Sequence, residues 1–427
     1  MYGGIERVAW RLARVLTTLG YEVVPVASSD SDFGPGVSAR GLSSEPSWCR
    51  DNRTPTVFRE DAPALLDRYA WHARKVVERE QPDAVLLLGP SAQVLQAVID
   101  AARPTIHHIV VALHNDLADN LPVASRLASE PDVKVLCLSE AQRSAFGALV
   151  DRIEVVTDGI PVAAVPFSPD PAAQRARLMR RNAFKGIRLS RDRALLGQID
   201  CFHPNKGMLT TLEIFRSSGM SRTHDLLLAG GMGWQLPYRS RGDSSHEGEP
   251  YLSAILRFVE ENDLGSSVQI LGALPGWKVA ELYGCMDMAI SPVRLEDRRL
   301  WPEPSPVQGP EPYGQGRAMA NSAGTPVLMS RKYDPAFTPE TYMDLRFHDA
   351  ADGADRLRRF ADQRFSRPDM RSFAERRDTM ARAVSYYAQF VGECSQRVRG
   401  LRPDTSEVAV ESAIGDLARL ENSRTHR

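Results

Sequence analysis

Cysteine is scarce in this chain and never paired by spacing. The five residues (Cys49, Cys137, Cys201, Cys285 and Cys394) are far apart, odd in number and form no Cys-x-x-Cys. That disfavours a disulfide framework or a structural zinc site and points to reduced thiols in a cytoplasmic setting. An excess of charge is missing too: 53 Lys and Arg against 54 Asp and Glu give a formal net charge of −1. A general nucleic-acid binder would be basic, so nucleic acid is not expected as a partner. No apolar run approaches the roughly 20 residues that a bilayer-crossing helix needs. The opening Met1-Tyr2-Gly3-Gly4 carries neither the basic stretch nor the apolar core of a secretion signal. There is no Gly-x-x-x-x-Gly-Lys-Ser/Thr loop and no Gly-x-Ser-x-Gly elbow, and Gly230-Gly231-Met232-Gly233 is not a dinucleotide fingerprint. His107-His108 have no partner at metal-ligand spacing and read as structural. No cofactor and no metal is expected.

What is present is a long alternation of helix and strand. At 427 residues the chain exceeds one ordinary core, so two domains of about 150–200 residues each are expected. Ile5, Val8, Leu12, Val15, Leu16 and Leu19 make an apolar helical stripe that Gly20 closes before a strand over Glu22–Ala27. A helix around Leu65–Glu80 leads into the strand Ala84–Leu88, and Ile109–Leu113 and Val133–Leu138 are further short apolar runs. Ser139-Glu140 opens the next helix and reads equally as a helix start or a site. The residues from Pro166 to Asp192 break this rhythm and read as the exit from a first domain with a surface helix. A second set of strands follows at Ala194–Ile199, Asp225–Ala229, Val268–Leu271, Met288–Ser291 and Pro326–Met329. Their helices lie around Gly207–Phe215, Tyr251–Asn262, Lys278–Gly284 and Gln315–Ala323. Short β-branched runs between amphipathic helices suit parallel sheets covered on both faces. Asp355 to Arg399 reads as helical, with Tyr386, Tyr387 and Phe390 on one face, and the tail after Pro403 as polar and loosely held. The segments 234–250 and 294–310 read as surface insertions, and Trp234, Trp277 and Trp301 as packing or flap residues.

Residues 311–327 carry the most chemistry. Glu311 stands beside a Pro-Tyr-Gly turn, a small-residue helix runs from Gln315 to Ala323, and Gly324 stops it before Pro326-Val327. A turn feeding a helix N-terminus offers N–H groups and partial positive charge to a phosphate. A carboxylate just ahead of it could accept hydrogen bonds from sugar hydroxyls. Phosphate and hydroxylated ring together describe a nucleotide sugar; an ordinary loop–helix packing unit would use the same residues.

In this order the segments resemble the retaining glycosyltransferases of family 4. Gly3-Gly4-Ile5-Glu6-Arg7-Val8 resembles the family's opening Gly-Gly turn and helix. Val155-Val156-Thr157-Asp158-Gly159-Ile160 resembles the segment that leaves the first domain. Gly197-Gln198-Ile199-Asp200 with His203-Pro204-Asn205-Lys206-Gly207 resembles the phosphate site. Leu226–Gly231, Leu271-Gly272-Ala273-Leu274 and Glu311–Val327 resemble the next three landmarks. The resemblance implies an α/β GT-B fold: two facing Rossmann-like, doubly wound parallel-sheet domains with an interdomain cleft. Its domains would be residues 1–165, a linker 166–193, 194–385, and a crossing helix with a polar tail over 386–427. The first glycine turn has no strand ahead of it, and a missing upstream segment is the preferred reading.

The resemblance also implies roles. Lys206, Gln198 and the turn amides near Gly314 would hold the donor diphosphate, with Gly230, Gly272, Ala273, Leu274, Tyr313, Gln315 and Met319 lining the donor site. Glu311 would fix the sugar hydroxyls and His114 would touch the sugar from the first domain. Gly3-Gly4 would let backbone approach closely. Taken alone, Lys206 reads equally as a solvated loop lysine, and His114 as a capping or core residue. Two positions depart from the family: Gln198 replaces an arginine, and Met319 replaces the glutamate that holds the ribose. Arg294 and Arg317 are cations that would restore the lost charge. The partners implied are a nucleotide sugar and a glycan, lipid-linked or small-molecule acceptor, with a transient visit to the membrane surface. A degenerate sugar-nucleotide-binding protein and a sugar-nucleotide epimerase are the other readings.

Overall fold

The computed structural model describes residues 4–27, 31–42, 62–89, 92–102, 108–113, 127, 130, 133–144, 146–157, 159–231, 250–295, 299–300, 311, 314–360, 363, 365–377, 379–399 and 405–423. The chain divides into two compact units, one of residues 1–161 with 379–424 and one of 162–378 with 425–427.

Unit 1 is built on a parallel sheet of β1 (Val85–Leu88), β2 (Ile109–Leu113), β3 (Val133–Cys137) and β4 (Ile153–Val155), in that spatial order. Strand β2 shows why both faces are covered. Ile109, Val111 and Leu113 alternate into a core with α2 (Ala62–Glu80) and α3 (Ala92–Ala102), through Ala73, Val77, Leu95 and Ile99. Val110 and Ala112 point the other way, against Val15 and Leu16 of α1 (Gly4–Thr18) and Tyr387 of α12 (Thr379–Arg399). A residue period of two on a doubly covered sheet gives this split. Tyr387 is fully buried, as a packing role requires, and His108 stacks edge-on against Phe390.

The expected strand over Glu22–Ala27 is not formed. Ala27 makes an isolated bridge to Leu42, the Ser38 N–H donates to the Val23 carbonyl and the Tyr69 hydroxyl to that of Val26, but no ladder forms. A strand needs a ladder partner, and this segment meets a loop instead. The tail after Pro403 is also corrected: Glu407–Ser423 forms helix α13, with Val410, Ala413, Ile414, Leu417 and Ala418 buried. Their spacing of three and four is an amphipathic stripe. The Ser139-Glu140 segment is a helix start, since Ser139 Oγ accepts from the Gln142 N–H at 3.2 Å ahead of α4 (Glu140–Ser144).

Unit 2 holds six parallel strands: β5 (Ala194–Ile199), β6 (His224–Ala229), β7 (Val268–Leu271), β8 (Met288–Ser291), β9 (Val327–Ser330) and β10 (Arg346–Phe347). Their spatial order is β10-β9-β8-β5-β6-β7. The chain adds strands outward from β5 in one direction, then returns to β8 and adds them in the other. The point where the winding reverses lies between β5 and β8. In open α/β sheets ligands bind outside the carboxyl ends of the strands at such a point.

Helices α6 (Met208–Ser218), α7 (Pro250–Glu261) and α10 (Ala350–Phe360) cover one face, burying Leu212, Phe215, Leu252 and Leu357 against Leu196, Leu226 and Ile290. Helix α5 (Pro171–Leu178), capped by Asp170, was expected at the surface. One side of it is instead bound in, with Gln174 donating to Glu281 at 2.6 Å and Arg175 to Asp287 at 2.7 Å, both partners on or after α8 (Gly276–Cys285). Helix α9 (Gln315–Ser322) runs as expected, and from α10 onward, through α11 (Arg367–Arg376) and α12, the described residues are largely helical. Arg367 on α11 is buried and donates to the carbonyls of Met286, Gly284 and Ala323, tying the ends of α8 and α9 together. Trp277 packs edge-on against Phe184, which makes it a packing residue. Among the described residues no helix is long and apolar enough to cross a membrane.

Candidate functional site

At the carboxyl edge of unit 2 the loops that follow β5 and β8 meet. After β5 the backbone stays paired with the neighbouring strand's extension: the Asp200 N–H donates to the Ala229 carbonyl and the Phe202 N–H to Gly231. A single 3-10 turn, Pro204–Lys206, follows, with His203 Nδ1 accepting from the Asn205 N–H at 3.2 Å. From the β8 loop, the Arg294 N–H donates to the Asn205 carbonyl at 2.7 Å. A Cβ on Gly207 would stand 2.7 Å from the Pro292 carbonyl, which shows how tightly the two loops cross. Glu311 joins them through a parallel bridge to Tyr333, its N–H donating to the Lys332 carbonyl at 2.8 Å.

These contacts assemble two cations and two carboxylates. Lys206 Nζ lies 3.9 Å from Asp200 Oδ1 and 4.0 Å from Glu311 Oε1, and Arg294 Nε lies 3.4 Å from Glu311 Oε2. All four side chains are largely withdrawn from solvent; Arg294 is 8% exposed and Glu311 14%. Burial alone would lower the Lys206 ammonium, but Glu311 and then Asp200 outweigh it and hold the group well above the ordinary lysine range. Burial pushes the Asp200 carboxyl up, opposed by Lys206 and reinforced by Glu311. Beneath the site the buried Tyr333 hydroxyl pairs with Ser291 Oγ at 2.7 Å, and burial raises that phenol as well. The cluster is therefore a small, balanced ion network in a site of reduced solvation, where charge–charge forces are stronger than in water.

The structure brings Lys206 and Glu311 together, as the expected donor site requires. Gln198, 1% exposed at the end of β5, uses both ends of its amide inside the unit. Its Nε2 donates to the Lys206 carbonyl at 2.7 Å and its Oε1 accepts from Thr211 Oγ1 at 2.5 Å. It fixes the lysine loop. Gly230 is buried against that loop: a Cβ there would stand 1.6 Å from the Asp200 carbonyl oxygen. Gly314 caps α9 in the left-handed region at φ +72°, with Tyr333 filling the place of a side chain. The helix ladder begins only at the Ala318 N–H, which donates to Gly314. The amides of the first turn precede it, as at any helix start. Helix α6, which Lys206 leads into, is different. Its Met208 and Leu209 N–H groups both donate to the Tyr251 hydroxyl, at 2.9 and 3.3 Å.

Gly272, Ala273 and Leu274 form the half-buried loop between β7 and α8, at the same edge of the sheet. Met319 is 5% exposed within α9, and Gln315 opens that helix. Arg317, on the same helix, is 4% exposed and holds its guanidinium 5.8 Å from the Tyr333 ring centroid. Gly4 begins α1 in unit 1, so it is helical rather than part of a turn. His114, Tyr313, Gly3, Trp234 and Trp301 lie outside the described residues. Sequence reasoning missed Asp200 as a member of the site. The signal was available: Asp200 immediately follows β5, and in a parallel sheet such a position faces the ligand edge.

No protein-family model matches this chain and no curated protein sequence matches it. Solved structures do. A glycosyltransferase from Rickettsia africae ESF-5 has a TM-score of 0.63 at 14% identity, over 92% of this chain and 95% of that one. Anabaena Alr3699/HepE, solved with UDP and glucose, scores 0.59 at 15% identity, over 93% and 96%. Sucrose-phosphate synthase from Thermosynechococcus elongatus scores 0.53 at 15% identity, over 91% of both chains. At such identities the likeness is one of fold: the chain is α/β, and its structural neighbours are GT-B glycosyltransferases.

Proposed function

We propose that this protein is a retaining glycosyltransferase that moves a sugar from a nucleotide-diphosphate sugar to a hydroxylated acceptor. One observation carries the reading: the two connections that follow β5 and β8 place Asp200 and Lys206 together with Arg294 and Glu311 at the winding reversal of a parallel sheet. The fold is one that UDP- and glucose-bound HepE also has. As the bond from the anomeric carbon to the phosphate oxygen breaks, its electron pair leaves with the nucleoside diphosphate. Fixed positive charge at that oxygen is the largest available rate effect. Lys206 supplies it, kept charged by its carboxylate neighbours. Glu311 accepts hydrogen bonds from the sugar hydroxyls. The acceptor oxygen bonds to the same face of the sugar, and its proton passes to the departing phosphate, so no protein nucleophile is required.

The test is nucleoside diphosphate release by the full chain from a panel of nucleotide sugars, with and without glycan acceptors. Lys206→Ala is expected to lower kcat/KM by about 100-fold or more, and Glu311→Ala to abolish turnover. Full activity in Glu311→Ala overturns the assignment. A second reading, a sugar-nucleotide binder without turnover, is favoured by Met319, a buried thioether where a ribose-binding carboxylate would stand. Stabilisation of the fold by nucleotide sugars without any release of diphosphate would select it.

A further inference from the structure

We propose that Arg294 supplies the second fixed cation of the diphosphate site, in place of the charge that Gln198 lacks. The inference rests on the glycosyltransferase reading, which makes the ligand a nucleoside diphosphate.

A diphosphate is held well by two cations and poorly by one, because each charge-assisted contact adds both energy and geometry. Gln198 cannot be the second: it is neutral, buried, and bonded at both ends to Lys206 and Thr211. Arg317 is packed over the Tyr333 ring. Arg294 stands on the other loop that borders the winding reversal. Its backbone is held at φ +61°, a region where a residue with a side chain is uncommon, and its N–H is anchored to Asn205 in the lysine loop. Unusual backbone of this kind persists where the surroundings over-determine it, and it concentrates at functional sites.

The distances also fit. The two oxygens of the Glu311 carboxylate reach Lys206 Nζ at 4.0 Å and Arg294 Nε at 3.4 Å. One small anion therefore already spans both cations, so a diphosphate can span them too. Glu311 acts as their shared counter-ion. When it turns to the sugar hydroxyls the phosphates take its place, which couples recognition of the sugar to recognition of the leaving group. Arginine suits this position because its planar fork contacts two phosphate oxygens at once.

Calorimetric titration of the full chain with UDP, GDP and ADP, and with the corresponding nucleosides, tests the proposal. Arg294→Gln is expected to weaken diphosphate binding about tenfold or more while leaving nucleoside binding unchanged. It is also expected to flatten the salt dependence. Arg294→Lys, which keeps the charge and loses the fork, is expected to fall between that variant and the native chain. Should Arg294→Gln melt early, Arg294→Met with native melting carries the test, and native-like diphosphate affinity in it overturns the proposal. Diphosphate affinity within twofold of native in a folded Arg294→Gln likewise overturns it, with the glycosyltransferase reading left standing. A native chain that binds no nucleoside diphosphate removes both.

Discussion

Gly230 shows how much of the site rests on a single missing side chain. The carbonyl of Asp200 occupies the place where a Cβ would be, and backbone cannot move aside as a flexible side chain does. Gly230→Ala must push the Asp200 loop outward, and overpacking of this kind costs about 1–3 kcal/mol. Chemical denaturation is expected to show that loss, and diphosphate affinity is expected to fall with it because the lysine loop is displaced. A native-like unfolding midpoint would show that the loops tolerate the shift. Residue identity also limited what could be read beforehand. Lys206 and Glu311 were legible because the first stands beside Gly207 and the second opens a Pro-Tyr-Gly sequence. Asp200 was readable from its place directly after β5; the contact between Arg294 and Glu311 was not, since it depends on chain crossings that no local spacing encodes. His114 falls outside the described residues.

The helices and central strands were the most legible elements, because continuous apolar runs and three-and-four spacing leave little ambiguity. The two clear misses have one cause. Val23 and Val26 gave Glu22–Ala27 the composition of a strand, but strand formation depends on a neighbour, and the neighbour is a loop. The segment after Pro403 looked loose because polar residues dominate it, yet five apolar positions at helical spacing were enough once α1 and α12 offered a surface. Leu417→Ala, at 3% exposure within that contact, is expected to cost about 2–4 kcal/mol in urea unfolding. A loss below about 0.5 kcal/mol, the usual range for a surface position, would mean α13 is not held there.

Across the molecule, buried thiols and phenols set the alkaline limit. Burial pushes Cys137 and Cys285 up to about 12, and Tyr21 and Tyr69 also to about 12. In the unfolded chain thiols lose their protons near pH 9 and phenols near 10, so from there to about 12 the folded state binds more protons. Folding stability from these groups is whole below pH 9 and falls as pH rises toward 12. Melting temperature is expected to decline over that window, with Tyr21 and Tyr69 resisting ionisation in ultraviolet titration until the fold opens. Ionisation of every tyrosine near pH 10 without unfolding would contradict this. The division of the chain has a consequence for its synthesis. Residues 162–378 are made in one stretch and can close their core at once, whereas the sheet of residues 85–155 keeps one oily face covered by α1 alone until α12 and α13 leave the ribosome. The half that is begun first is finished last. Until then that face is the part of the nascent chain most exposed to aggregation and most in need of a chaperone.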